Sequence, residues 1–120
     1  MKPNKYELGI RGQQEAEKHL CQKDYHVLER NYRIRTGEID LILQSGKYII
    51  FVEVKYRGGL SHGTPGEAVG YRKQQKIIHT AMHYISRYGL ENQDFRFDVV
   101  EVLETDGNVI VNHIENAFGM

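Results

Sequence analysis

The sequence predicts an α/β fold with a mixed central β-sheet of about five strands flanked by helices in the order α-β-β-β-α-β-β. Three observations lead there. Residues 5–23 place apolar side chains near helical spacing, and residues 67–88 read as a second long helix with a capped start and a glycine stop. Five other stretches are rich in β-branched and aromatic residues, and turn chemistry joins two pairs of them. The helices interleave with the strands, which implies a mixed sheet covered on its faces.

The first helix, KYELGIRGQQEAEKHLCQK, carries Leu8, Ala16, His19 and Leu20 near helical spacing, while Gly9 and Gly12 weaken its first turns. Three strands follow. YHVLERNYRI alternates raggedly, whereas EIDLILQ and YIIFVEVKY are clear, with Ser45-Gly46-Lys47 as the turn between them. The Gly-rich RGGLSHGTPG leads into the second helix. Thr64, Pro65 and Glu67 form a capped start for it, and Gly89 a stop. FRFDVVEVLE and NVIVNHI then flank Asp106-Gly107, a hairpin signal. With no repeat, low-complexity tract or linker, residues 1–120 are expected to form a single domain.

Sixteen basic and sixteen acidic residues cancel, so the whole-chain field offers no argument for nucleic acid or membrane; such an argument must rest on local clusters. A single cysteine, Cys21, excludes an internal disulfide and suits a reducing compartment; it is expected as a small, half-buried helix residue. The charged N-terminus has no apolar run behind it, and no segment is long enough to cross a membrane, so a soluble cytoplasmic protein is expected.

The stretch TGEIDLILQSGKYIIFVEVKYR decides the functional reading. Its two strands carry Glu38, Asp40, Glu53 and Lys55 among apolar residues, and burying an unpaired charge is costly. With Ser45-Gly46 as a two-residue loop, Ile42 faces Ile49, Asp40 faces Phe51 and Glu38 faces Glu53. All four charged residues then emerge on one face, with Asp40 and Glu53 as diagonal neighbours. The opposite face is apolar throughout: Ile39, Leu41, Leu43, Tyr48, Ile50, Val52 and Val54. A three-residue loop would separate Asp40 from Glu53, so the grouping depends on register. Three converging carboxylates repel, and a divalent cation removes that cost; carboxylate oxygens with positions left for water and phosphate suit Mg²⁺ or Mn²⁺. Lys55 on the same face could orient or deprotonate the attacking water, or stabilise charge developing on phosphate. These are the parts of a metal-assisted phosphodiester hydrolase. The plainer alternative is a pair of surface salt bridges from Lys55 to Glu53 or Glu38.

GEIDLI followed by FVEVKYR resembles the PD-(D/E)xK nuclease superfamily, and GIRGQQEAEKHL, ERNYR, FDVVEV and the closing IENAF extend the resemblance over nearly the whole chain. The nearest likeness is to the YraN family of predicted endonuclease-like proteins, similar to archaeal Holliday-junction resolvases. The resemblance implies a restriction-endonuclease-like core. It also implies a magnesium- or manganese-dependent DNA endonuclease, with Asp40 and Glu53 as metal ligands, Lys55 as the catalytic lysine and Glu38 as a further candidate ligand. Branched or structured DNA and a two-fold homodimer enter on the resolvase likeness alone. Such proteins commonly carry an acid on the first helix after a glycine. Here Gln13 follows Gly12, and Glu17, one turn along, is the other candidate for that place.

Arg30, Arg33 and Arg35 lead into the acidic strand, Arg57 leaves the next, and Arg72, Lys73 and Lys76 open the second helix. Grouped around the acids they would clamp phosphates; singly, each reads as ordinary solvated charge. The same resemblance puts Lys73 and Gln74 on the helix where related nucleases often place a further active-site polar residue. His79 and His83 have a zinc-compatible spacing but no third ligand nearby, and His62 sits in the Gly-rich loop. Tyr56 and Tyr71 could stack on a base, though packing is the plainer expectation. A binding protein of the same fold without cleavage activity is the second functional reading, and Gln13 favours it.

Overall fold

Among the described residues, seven elements follow one another as the sequence predicts: α1 (Lys5–Cys21), β1 (His26–Ile34), β2 (Gly37–Ser45), β3 (Tyr48–Gly58), α2 (Tyr71–Tyr88), β4 (Asp94–Thr105) and β5 (Asn108–Phe118). The structure is a computed structural model and describes residues 4–58 and 69–119. The strands form one sheet in the spatial order of the chain. Only β3 and β4 run parallel, because α2 carries the chain back across the sheet between them; the other neighbours are antiparallel.

Local chemistry sets the element ends. Asn4 caps α1 by accepting the Glu7 amide at 2.8 Å. Gly89 ends α2 at φ 65°, where the Leu90 amide reaches back to Ile85 at 2.9 Å. Asp106 and Gly107 both take positive φ, 50° and 78°, as a two-residue hairpin turn requires. The start of α2 differs from expectation: Val69 is buried, Gly70 is extended, and the helix begins at Tyr71 without a side-chain cap. Thr64, Pro65 and Glu67, like His62, lie outside the described residues. Cys21 is exposed rather than half-buried, since it ends α1 beyond the last residue, Leu20, that the helix buries.

Each sheet face is covered by one helix. Ala16 and Leu20 of α1 pack on Leu41, Leu43, Ile50, Val52, Val100 and Val102. Ile77, Ala81, Tyr84 and Ile85 of α2 pack on Ile42, Ile49, Phe51 and Phe97. The face that carries the acids is therefore apolar near the hairpin turn, as the sequence suggests.

Two local departures place the site. The β2–β3 loop is Gly46-Lys47 rather than Ser45-Gly46: Ser45 pairs with Tyr48 and Gln44 with Ile49. Gly46 takes the positive φ of 56° that the loop needs at its first position, which lets Ser45 stay in the strand. The register moves by two residues, so parity survives, and by extension Asp40 comes opposite Glu53 rather than Phe51. Second, alternation slips between β1 and β2. Arg30 and its partner Leu41 lie on the α1 side, whereas Tyr32 and its partner Ile39 lie with α2. Asn31, at φ 52°, sits at the slip on β1, and Asp40 sits at it on β2.

Gly37 holds β2 against α2: a Cβ there would lie 2.3 Å from Thr80 Oγ1 and 3.3 Å from the Lys76 carbonyl. Gly37→Ala should therefore destabilise by about 1–3 kcal/mol in urea unfolding, as overpacking does. Adding Thr80→Ala should recover part of the loss; a strictly additive double variant would mean that the two residues do not collide.

Candidate active site

The β2–β3 ladder pairs Leu41 with Val52 and goes no further. Asp40 Oδ2 accepts the Val54 amide at 2.8 Å, the donor that the next rung of the ladder would have used. The two strands part at this point, and the carboxylates of Asp40 and Glu53 face the gap. Glu53 is buried at 6% exposure, with Lys73 Nζ of α2 2.6 Å from its Oε1. Burial, and then the neighbouring Glu53, push the Asp40 carboxyl up to about 7; the Val54 amide and Lys73 only partly offset this. Burial alone would lower the Lys73 ammonium, but its bond to Glu53 and the nearby Asp40 and Glu38 outweigh that and raise it.

Asp40 and Glu38 stand where two cavities meet. On the α2 side a cleft of about 500 Å³ runs past Glu53, Arg72, Lys73 and Lys76. On the α1 side a groove of about 1030 Å³ runs past Gln13, Glu17, Arg30 and Arg33. Asp40 and Glu53 thus come together as the sequence predicts. Side chains alternate without interruption along β3, so Lys55, half-buried, emerges on the same face as Glu53.

The remaining candidates divide. Glu38 is near the acids but pairs with Arg33 at 3.2 Å. Gln13 and Glu17 both reach the α1-side groove; Glu17, however, is bound by Arg30 at 2.7 and 2.8 Å, and that pairing holds its carboxyl below the usual range. Arg72, Lys73 and Lys76 line the α2-side cleft. Arg57 lies 3.9 Å from Glu101, and Arg35 is exposed in the β1–β2 turn. Gln74 donates to the Val69 carbonyl at 2.7 Å, which ties the chain entering α2 to its first turn. His79 and His83 are exposed, and Nδ1 of His83 is 2.7 Å from the Tyr32 hydroxyl. Tyr71 is exposed instead of packed, while Tyr56 is half-buried and donates to Glu104.

Sequence reasoning missed Glu101, which is fully buried, lies in register with Lys55 and accepts a bond from Asn112 at 3.0 Å. It also missed Asp98, equally buried, which is held by Arg96, His113 and the Asn116 amide. The signal was present in FDVVEV: charged residues inside an apolar strand, as in FVEVKYR.

Among the described residues, no three Asp, Glu, His or Cys side chains converge as a ready-made metal shell. The two carboxylates nonetheless fit a hard cation. They repel each other, an ammonium already lies against one of them, and Mg²⁺ commonly takes only one or two protein carboxylates, with waters and phosphates completing its shell.

Fold and site together define a mixed α/β domain with an acidic cluster at the parting of two central strands. The chain belongs to the uncharacterised protein family UPF0102, the YraN family, whose model matches residues 12–102. Similar curated relatives share its length: a UPF0102 protein of Alkaliphilus metalliredigens is 48% identical over 92% of this chain and 96% of its own. Another, from Symbiobacterium thermophilum, is 46% identical over 92% and 95%. A third, from Clostridioides difficile, is 44% identical over 96% and 99%.

An unfolded aspartate releases its proton near 3.8, while folded Asp40 keeps its proton up to about 7. Between those values the folded state binds the extra proton, so Asp40 makes stability fall as pH rises through this window and stay low above it. Asp40→Asn should remove that slope and raise the thermal midpoint by several degrees in mildly alkaline buffer, with little change well below the carboxyl's pKa. Melts of both proteins across the window would check this, and parallel curves would show that Asp40 is not the titrating group.

Proposed function

We propose that the protein is a metal-dependent endonuclease that hydrolyses phosphodiester bonds in DNA at the acidic cluster. The observation that carries this reading is Asp40: a carboxyl raised by burial and by a neighbouring second carboxylate, with one backbone amide as its hydrogen-bond donor among the described residues. Asp40 and Glu53 are the proposed ligands for Mg²⁺ or Mn²⁺, with Glu38 and Gln13 at the margin. A cation held there supplies charge neutralisation at the phosphate under attack. The Val54 amide fixes Oδ2 of Asp40, which leaves Oδ1 to bind. Lys55 Nζ orients the attacking water or takes up charge developing on a phosphate oxygen. Arg72 and Lys76, which make no ion pair with a described residue, grip neighbouring phosphates, and Lys73 joins them once freed from Glu53.

A specific contact favours a second reading, a nucleic-acid-binding protein of this fold without cleavage activity. The Lys73 ammonium on Glu53 already supplies the positive charge that a metal would. Gln13 adds no charge to the site.

The test is a cleavage assay with Mg²⁺ or Mn²⁺ on linear duplex, single strand, flap and four-way junction, beside calorimetric titration of Mn²⁺. Wild type should cut at least one substrate and bind Mn²⁺. Lys55→Ala should keep its melting temperature and lose about a hundredfold or more in rate, the usual effect of removing a group that stabilises transition-state charge. Folded wild type that binds DNA yet neither cuts nor takes up Mn²⁺ would establish the second reading instead.

A further inference from the structure

The two cavities that meet at the acids have opposite chemistry. The α2-side cleft is lined by Arg72, Lys73 and Lys76, and two of these three cations have no ion-pair partner among the described residues. In the α1-side groove both arginines are already committed, Arg30 to Glu17 in a bidentate pair and Arg33 to Glu38. What the groove offers instead is flat surface and amides. Tyr6 is 77% exposed and makes no hydrogen bond or ring contact with a described residue. Ile10 lies one turn along, and Gln13, Gln14 and Asn31 bring amide groups to the lining.

A duplex shows a protein its two phosphate backbones and keeps its base faces stacked, so a site for duplex needs uncommitted cations. Aromatic faces and amides are suited to bases that have left the stack and expose their faces and edges. The geometry points to a single-stranded segment of nucleic acid as the occupant of the α1-side groove, with a base stacked on Tyr6 and the strand continuing across Asp40 into the cation-lined cleft. The substrate class is then a duplex that opens into an unpaired arm, with the acids at the transition. This rests on the reading of the acidic cluster as a nucleic-acid site. It goes further by assigning the two cavities different parts of one substrate.

The chain contains no tryptophan, so Tyr6→Trp introduces a single fluorophore at the proposed stacking position. The probes are oligodeoxyuridylate and oligouridylate of about 16 nucleotides, the upper site size of a single-strand groove, and a blunt hairpin duplex. All are titrated in EDTA, so that cleavage plays no part. Saturable quenching of the indole by the single strands, weak quenching by the duplex, and about tenfold weaker single-strand binding by Tyr6→Ala in anisotropy are expected. The tighter of the two single strands identifies the sugar. If single strands bind the wild type while the indole stays silent and Tyr6→Ala binds normally, the groove assignment is overturned and the nucleic-acid reading stands. Equal quenching by the duplex overturns the assignment too. If no probe binds wild type at all, the nucleic-acid reading fails and takes this inference with it.

Discussion

The hydrogen bond from the Val54 amide to Asp40 Oδ2 is the contact on which the site's geometry depends. A backbone donor at the end of a central ladder needs an acceptor, and here a side chain supplies it, so the β2–β3 ladder can end inside the sheet without leaving that amide unpaired. The gap that opens leaves room beside Asp40 and Glu53 and lets two cavities meet at Glu38 and Asp40. The slip of alternation at Asn31 and Asp40 works in the same direction. Beyond it, Tyr32 and Ile39 go to the α2 core, and the α1 side is left open as a groove.

The two deeply set aspartates of this chain make an informative contrast. Burial would raise the Asp98 carboxyl, but His113, Arg96 and the Asn116 amide all bond to it, and together they hold it below the usual range. Such a carboxylate is satisfied in place and ties β5 to β4. Asp40 is also desolvated, yet among the described residues it has one backbone donor, the neighbouring Glu53 carboxylate acts on it more strongly than Lys73 does, and its carboxyl is pushed the other way. The difference is not burial, which both share; it is the supply of donors. A carboxylate left short of donors beside another carboxylate has capacity for a cation, which a fully bonded one lacks.

The order of elements, the sheet class and the meeting of Asp40 with Glu53 were legible because each depends on chain-local signals: helical spacing, strand alternation and a short loop of fixed parity. The hairpin register was misplaced by two residues, yet the acids stayed on one face, because parity is insensitive to an even shift. The slip at Asn31 was not legible. A positive φ at an asparagine inside a strand is decided by pairing with β2, not by its own neighbours in sequence. The ion pair of Lys73 with Glu53 joins residues that only the packing of α2 against the sheet brings together. Tyr6 carried no signal at all: an exposed aromatic on a first helical turn has meaning only once the groove beside it is known.

The placement of uncommitted charge constrains how any polyanion could approach. The chain is neutral overall, and at physiological salt an exposed charge is felt over only about 8 Å, so long-range attraction to DNA is weak. Capture of a polyanion would therefore depend on local cations, and Arg72 and Lys76 stand on the α2 side of the acids. On the α1 side, moving phosphate onto Arg30 would require breaking a two-point bond to Glu17, which leaves that carboxylate unpaired. A phosphate chain is thus favoured on one side of Asp40 and disfavoured on the other, where flat and amide surfaces favour bases. A uniform duplex presents the same backbone along its whole length and cannot match this asymmetry. A strand that changes from paired to unpaired at the acids can.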